Sequence, residues 1–183
     1  MKGEVSSDHP IWVYFSEAIH DSLHTRMGVG DSDDVEVYLT TMMVEFLHRD
    51  QIYGIRDAAG RPIEEVTEMV REGDIRLNAD SFDREREVHR HIGDFLLFWS
   101  GVFPEFLQFM KAPTSRDALL DVTRQGQFSY HVASTFDHDP YAAEAQILRK
   151  LSERFDLYRH GLSLVRASFE GFARQEWMNG FDC

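Results

Sequence analysis

The segment that most constrains the fold is an apolar run between residues 92 and 110, which reads IGDFLLFWSGVFPEFLQFM. A membrane-spanning helix needs about 20 mostly apolar residues. Asp94 and Glu105 bracket this run and Pro104 interrupts it, so its uninterrupted part, Phe95–Phe103, has about half of that length. A helix that is apolar on every side is instead covered by other helices. The run therefore predicts the central helix of a bundle, which ends or kinks at Pro104.

Outside this run, apolar residues recur every three or four positions, which is the helical period. One stripe runs from Ile11 to Met27 and ends at Gly28, and a second runs from Val35 to Phe46. The segment DAAGRP at residues 57–62 is typical of a turn and lies between short segments in which apolar and polar residues are mixed. We therefore expect an all-α fold, a single-domain bundle of about six to seven helices over residues 1–183, with a small β-hairpin near residues 52–62.

Polar residues and prolines predict where several helices begin. Pro62 suits the first turn of a short helix, and Asp80 or Ser81 suits the N-cap of the central helix. Thr114–Asp117 has the spacing of a capping box and precedes the apolar segment ALLDV. This spacing predicts a further helix that begins near residue 114.

The last helix carries an apolar stripe with heptad spacing, formed by Leu148, Leu151, Phe155, Tyr158, Leu162, Val165, Phe169 and Phe172. Such a stripe allows a homodimer through the C-terminal helix, and it equally allows packing on the core of the same chain. We favour packing on the chain's own core, because aromatic side chains fill irregular cores better than two-stranded seams.

The charge balance restricts the classes of partner. The chain has 19 basic and 32 acidic side chains, a net charge of −13 at pH 7, and such an acidic surface repels phosphate groups. We therefore expect no nucleic-acid partner and no membrane attachment. The first residues lack the features of a signal peptide, and the single cysteine, Cys183, excludes an intrachain disulfide. Both features predict a cytoplasmic location.

Two E-x-x-H motifs are the strongest metal-binding signal. They pair Glu17 with His20 and Glu45 with His48, and the i, i+3 spacing places both members of a pair on one helical face. Di-iron carboxylate bundles use this spacing with all ligands directed inward. However, at 100° per residue Glu17 lies roughly 170° from the apolar stripe of its helix. The helical pattern therefore favours solvated polar faces for these four residues.

Two further metal candidates lie outside that pairing. Asp94 is a carboxylate within the apolar run, which suits an acid or a ligand in a pocket, although Arg90 one turn earlier can pair with it. His20 and His24 have i, i+4 spacing, which can hold a zinc ion weakly at the surface. We favour a structural role for Asp94, either in this ion pair or in a bond to the end of a neighbouring helix.

The residues from Gly93 to Glu105 read G-D-x-x-L-F-x-S-G-x-F-P-E. This pattern resembles the core-helix motif of an uncharacterised family of bacterial all-helical proteins. The resemblance extends to QGQFSY at residues 125–130 and to the last long helix, and so covers roughly the C-terminal half. It implies a helical fold and implies no catalytic residue, because no activity is attached to that family.

Signatures of common catalytic sites are missing from the sequence. No serine lies in a G-x-S-x-G segment, and M-G-V-G-D at residues 27–31 lacks the lysine of a phosphate-binding loop. We therefore expect a non-enzymatic protein-interaction or self-association module with an unknown protein partner and no cofactor. The alternative is a metal- or small-ligand-binding bundle, similar to di-iron carboxylate proteins, with oxidoreductase activity.

Overall fold

The computed structural model describes residues 8–30 and 33–180, with side chains as far as Ser168. Within these residues the fold is all-α, as predicted, and contains no β-strand. Cys183 lies outside the described residues. The helices in chain order are α1 (Pro10–His20), a π-helical turn (Asp21–Arg26), α2 (Asp33–Glu45), α3 (Arg49–Ile52), α4 (Val66–Gly73), α5 (Phe82–Val102), α6 (Phe106–Met110), α7 (Val122–Ser134), α8 (Ala142–Glu153) and α9 (Phe155–Gly180).

The chain divides into two compact units. Unit 1 comprises residues 1–52 and 160–183, and unit 2 comprises residues 53–159. Along the described part of the chain, none of the helices combines the length and the apolar character that a membrane span requires.

The first helix of unit 1 changes its winding halfway along. Residues up to His20 are α-helical, and the next six form the π-helical turn, in which Met27 N–H bonds the Ser22 carbonyl 3.1 Å away, five residues back. Gly28 ends this segment with a φ of 66°, a conformation that glycine adopts without steric cost. The sequence therefore correctly predicted where this apolar stripe ends, but the helix is not uniform.

The central helix of unit 2 is α5, as the apolar run predicted. All residues from His91 to Val102 are buried, and α5 packs against α4 and α7. Ser81 is its N-cap, since its hydroxyl accepts a hydrogen bond from Arg84 N–H at 3.2 Å. The helix ends at Val102, just before Pro104, which cannot donate a helical hydrogen bond.

Two predicted features of unit 2 differ in the structure. The expected hairpin near residues 52–62 reduces to one antiparallel bridge between Arg56 and Pro62. Residues 114–119 form turns and a bend rather than a helix, and α7 begins at Val122. Asp117 instead caps α4, because its carboxylate accepts hydrogen bonds from the Val66 and Thr67 amides, both at 2.8 Å.

The heptad-like stripe is divided between two helices. It begins in α8 and continues in α9, with a break at Arg154, whose backbone leaves the helical region. Six of its residues have described side chains, and all six are buried to within 1% exposure: Leu148, Leu151, Phe155, Tyr158, Leu162 and Val165. Phe169 and Phe172 lie beyond the described side chains. The described stripe residues therefore belong to the core of the chain.

Candidate metal centre

Two imidazoles and one carboxylate converge in unit 1. One potential ligand atom from each of His20, His24 and Glu36 lies within 4.8 Å of the other two. In the described part of the chain this is the group of three or more histidine, cysteine, aspartate or glutamate side chains that is close enough to share a metal ion. It combines one residue of an E-x-x-H motif with two residues outside both motifs.

Three consecutive elements position these side chains. His20 is the last residue of α1, His24 lies in the π-helical turn, and Glu36 lies in the first turn of α2. The helices α1 and α2 pack against each other, which brings the two ends of the intervening loop together. Glu36 precedes the buried Leu39 by three positions and the buried Met43 by seven, so its side chain starts from the buried face of α2.

Each oxygen of the Glu36 carboxylate contacts one imidazole. Oε1 lies 2.5 Å from Nε2 of His24, and Oε2 lies 3.0 Å from Nδ1 of His20. The centroids of the two imidazole rings are 4.4 Å apart. As hydrogen bonds, these contacts need a proton on each of the two ring nitrogens. A metal ion would replace those protons, since metal binding requires the unprotonated nitrogen.

The site opens to solvent on one side. The side chain of Glu36 is 11% exposed, that of His24 is 30% exposed and that of His20 is 64% exposed. The carboxylate is therefore held at the base of the cluster, and the His20 side faces water. An ion bound here has access from solvent and keeps coordination positions that protein atoms do not fill.

The surrounding charge favours a cation. Asp33 and Asp34 lie in the first turn of α2 together with Glu36, and the whole chain carries a net charge of −13. Carboxylates in the first turn of a helix interact favourably with the positive end of the helix dipole. An excess of acidic side chains attracts metal cations.

The remaining E-x-x-H residues lie outside this cluster. Glu17, Glu45 and His48 are exposed, and none of them joins a metal-competent group within the described residues. The arrangement that the two motifs suggested would need all four side chains to point inward. In the structure only His20 of these four takes part, and its ligand partners are His24 and Glu36.

Asp94 has a structural environment in unit 2. Its side chain is 5% exposed and accepts a hydrogen bond from the Tyr130 hydroxyl at 2.8 Å and from Arg90 Nη1 at 3.4 Å. The preceding Gly93 makes this possible, because a Cβ atom there would lie 2.6 Å from the Tyr130 ring. Gly93 and Asp94 therefore allow Tyr130 of α7 to pack against α5. The contact between Arg90 and Asp94 is the structural ion pair that the sequence favoured.

A buried histidine of unit 2 also has an unusual environment. His89 is 4% exposed, and burial lowers its pKa from 6.5 to about 4, while the charge of Asp74 opposes this shift weakly. Its Nδ1 atom lies 3.3 Å from the hydroxyl of Ser129, which is fully buried. A serine without access to solvent cannot attack a substrate, so this pair serves the packing of α5 on α7.

Glu36 is the member of this cluster that none of the sequence motifs includes. The E-x-x-H motifs pair each histidine with a glutamate of its own helix, and the i, i+4 spacing pairs His20 with His24, whereas the carboxylate that contacts both imidazoles is 12 residues beyond His24. A usable signal was present, because the 3 and 7 spacing from Leu39 and Met43 places Glu36 on the buried face of α2. An acidic residue on that face requires a partner.

Comparison of the chain with protein-family models, with curated proteins and with solved structures finds no match. The resemblance of the residues from Gly93 to Glu105 to a bacterial helical family therefore stays a prediction.

Proposed function

We propose that this chain is a helical domain that binds one divalent transition-metal ion through His20, His24 and Glu36. The observation that carries the proposal is the convergence of two imidazole nitrogens and a carboxylate, with all three ligand atoms within 4.8 Å. The proposal keeps the metal-binding alternative that the sequence suggested, but moves it to a mononuclear site with a different carboxylate.

The dimensions of the cluster suit a first-row transition metal. Bonds of about 2.0–2.1 Å in tetrahedral geometry separate the ligand atoms by about 3.3 Å. The His20 and His24 contacts to Glu36, at 3.0 and 2.5 Å, are both shorter than this separation, so binding in this geometry requires the two imidazoles to move slightly away from the carboxylate. Imidazole nitrogens favour zinc, copper, nickel and iron over magnesium and calcium.

The direct test is metal binding by the full chain, prepared without an affinity tag and without chelator. Zn²⁺ and Co²⁺ are titrated in turn, with binding measured by calorimetry and the Co²⁺ site also by its visible absorption. We expect one ion per chain. His24→Gln and Glu36→Gln should each weaken binding at least tenfold, which is the usual effect of changing a metal ligand or its close support.

His48→Gln is the matched control, because His48 is an exposed histidine of the same unit outside the cluster. It should bind Zn²⁺ as the unsubstituted chain does. A loss of binding in His48→Gln with normal binding in Glu36→Gln would restore the paired E-x-x-H arrangement instead. Absence of stoichiometric binding by the unsubstituted chain would refute the proposed function.

The interaction module that the sequence favoured stays a prediction, together with its cytoplasmic location. Self-association through the C-terminal helix would need surfaces other than the six described stripe residues, because these are buried within the chain. Sedimentation or light scattering with and without Zn²⁺ tests self-association and its dependence on the metal in one experiment. A dimer that forms only with the metal would make the ion part of the interface.

A further inference from the structure

The π-helical turn Asp21–Arg26 carries contacts of two kinds. It supplies His24 to the proposed metal site, and it also contacts the part of α9 that belongs to unit 1. A π-helix accommodates one residue more per turn than an α-helix and is commonly found as a short segment at functional sites. Any regulatory role of this turn rests on the proposed function, because it concerns the same metal site.

The contacts with α9 are polar and closely fitted. The hydroxyl of Ser22, a buried residue, donates a hydrogen bond of 2.7 Å to the Gly161 carbonyl. Arg26 donates to the Leu164 carbonyl at 3.4 Å. The two segments approach closely because residue 161 is glycine, where a Cβ atom would lie 2.9 Å from a methyl carbon of Leu23.

Both sets of contacts require the same backbone winding. The helix α1 is anchored by the buried Phe15 and Ile19, so the winding of the next six residues decides where their side chains point. An α-helical backbone over the turn would rotate its far end by about 100°, which is the angle of one residue. That rotation would turn His24 away from Glu36 and would also misplace the groups that hold α9.

We propose that metal binding at His20, His24 and Glu36 and docking of residues 160–168 of α9 on the π-helical turn stabilise each other. The proposal requires a second, α-helical arrangement of the turn, and both sets of contacts are made in its π form. The coupling is reciprocal, since two events that favour one state of a common element favour each other by the same factor. Metal availability thereby sets how tightly the C-terminal helix is held.

Hydrogen exchange measured by mass spectrometry tests this coupling in the full chain. Amide exchange of residues 160–168 is followed with and without saturating Zn²⁺, in the unsubstituted chain and in Ser22→Ala. Zn²⁺ should slow this exchange at least fivefold in the unsubstituted chain, a factor at the low end of allosteric couplings. The slowing should be smaller in Ser22→Ala, which lacks the hydrogen bond to Gly161.

Thr25→Ala is the matched control on the same turn. Thr25 is exposed, and its side chain makes no hydrogen bond within the described residues, so this variant should respond to Zn²⁺ as the unsubstituted chain does. If Ser22→Ala does not fold, Arg26→Gln provides the second variant, since Arg26 also contacts α9 through Ser168 at 3.3 Å.

The outcomes separate the coupling from the proposed function. Zn²⁺ binding without slower exchange in residues 160–168 would overturn the coupling and leave the metal site standing. Equal slowing in Ser22→Ala and in the unsubstituted chain would overturn it as well, because the protection would not pass through this contact. Failure of the unsubstituted chain to bind Zn²⁺ would refute the proposed function and the coupling together.

Discussion

Acidification should destabilise the folded chain through His89 before the carboxylates begin to titrate. Burial lowers the pKa of His89 to about 4, whereas an unfolded chain has the ordinary value of 6.5. Between these two values the unfolded state binds a proton that the folded state does not. Lowering the pH therefore favours unfolding. The stability contributed by neutral His89 is complete above pH 6.5 and is lost progressively as the pH falls toward 4.

The size of the effect is set by the two pKa values. Linkage gives a loss of about 2 kcal/mol in the free energy of unfolding between pH 7 and pH 5, and about 3 kcal/mol by pH 4. His89 is 4% exposed, so solvent screens its environment little. The interval from pH 7 to pH 5 separates the histidines from ordinary carboxyl groups, which titrate near pH 4, and the comparison with a His89 variant then singles out His89.

The assay is urea unfolding, followed by circular dichroism and tryptophan fluorescence, at closely spaced pH values from 8 to 5. His89→Asn retains a polar group near the position of Nδ1, which contacts Ser129, but it cannot be protonated. This variant is expected to be less stable at pH 7 because its side chain is smaller. Its stability should nevertheless fall by about 2 kcal/mol less than that of the unsubstituted chain between pH 7 and pH 5.

His131→Asn is the control, because His131 is an exposed histidine of α7. Its pH dependence should match that of the unsubstituted chain. Parallel losses of stability in His89→Asn and in the unsubstituted chain over this interval would contradict the low pKa of His89. A parallel loss would mean that His89 accepts its proton without leaving the folded structure.

Three further substitutions test contacts that hold unit 2 together. Tyr130→Phe removes the hydrogen bond to the buried Asp94 and should cost about 1.5–3 kcal/mol of unfolding free energy, measured by urea unfolding. Gly93→Ala should lower the free energy of unfolding by about 1–3 kcal/mol in the same assay, because a Cβ atom would lie 2.6 Å from the Tyr130 ring. A variant as stable as the unsubstituted chain would contradict this close fit. Asp117→Ala should lower the free energy of unfolding by about 1–2 kcal/mol and should speed amide exchange in the first turn of α4. Unchanged exchange there would show that the Asp117 carboxylate does not cap α4.

The sequence predicts the parts of this fold that depend on local periodicity. The apolar run identifies α5 and its burial, and Pro104 identifies where it ends, because both are properties of neighbouring residues. The cap of α5 at Ser81 is predictable for the same reason, since a cap bonds an amide three residues away.

Features that depend on contacts distant in sequence are not predictable in this way. Asp117 has the local spacing of a capping residue, yet its carboxylate bonds amides 50 and 51 residues earlier in the chain. The change from α to π winding after His20 has no residue signature either, and residues of the turn contact α2 and α9, which lie 12 and 139 residues further along the chain. Local spacing predicts one hydrogen-bond partner for a polar side chain, but the packing of distant segments determines which partner it contacts.

The metal cluster and Asp94 illustrate how one rule leads to different outcomes. A buried or half-buried carboxylate requires partners, and in unit 2 Asp94 has a tyrosine hydroxyl and an arginine, so its charge is used within the protein. Glu36 has two imidazoles, which are themselves metal ligands when unprotonated, and one of them is 64% exposed. The partners of Glu36 can therefore exchange protons for an ion from solvent, whereas those of Asp94 cannot. This difference in partners, rather than burial itself, supports the proposed binding role of the carboxylate in unit 1 and the packing role of the carboxylate in unit 2.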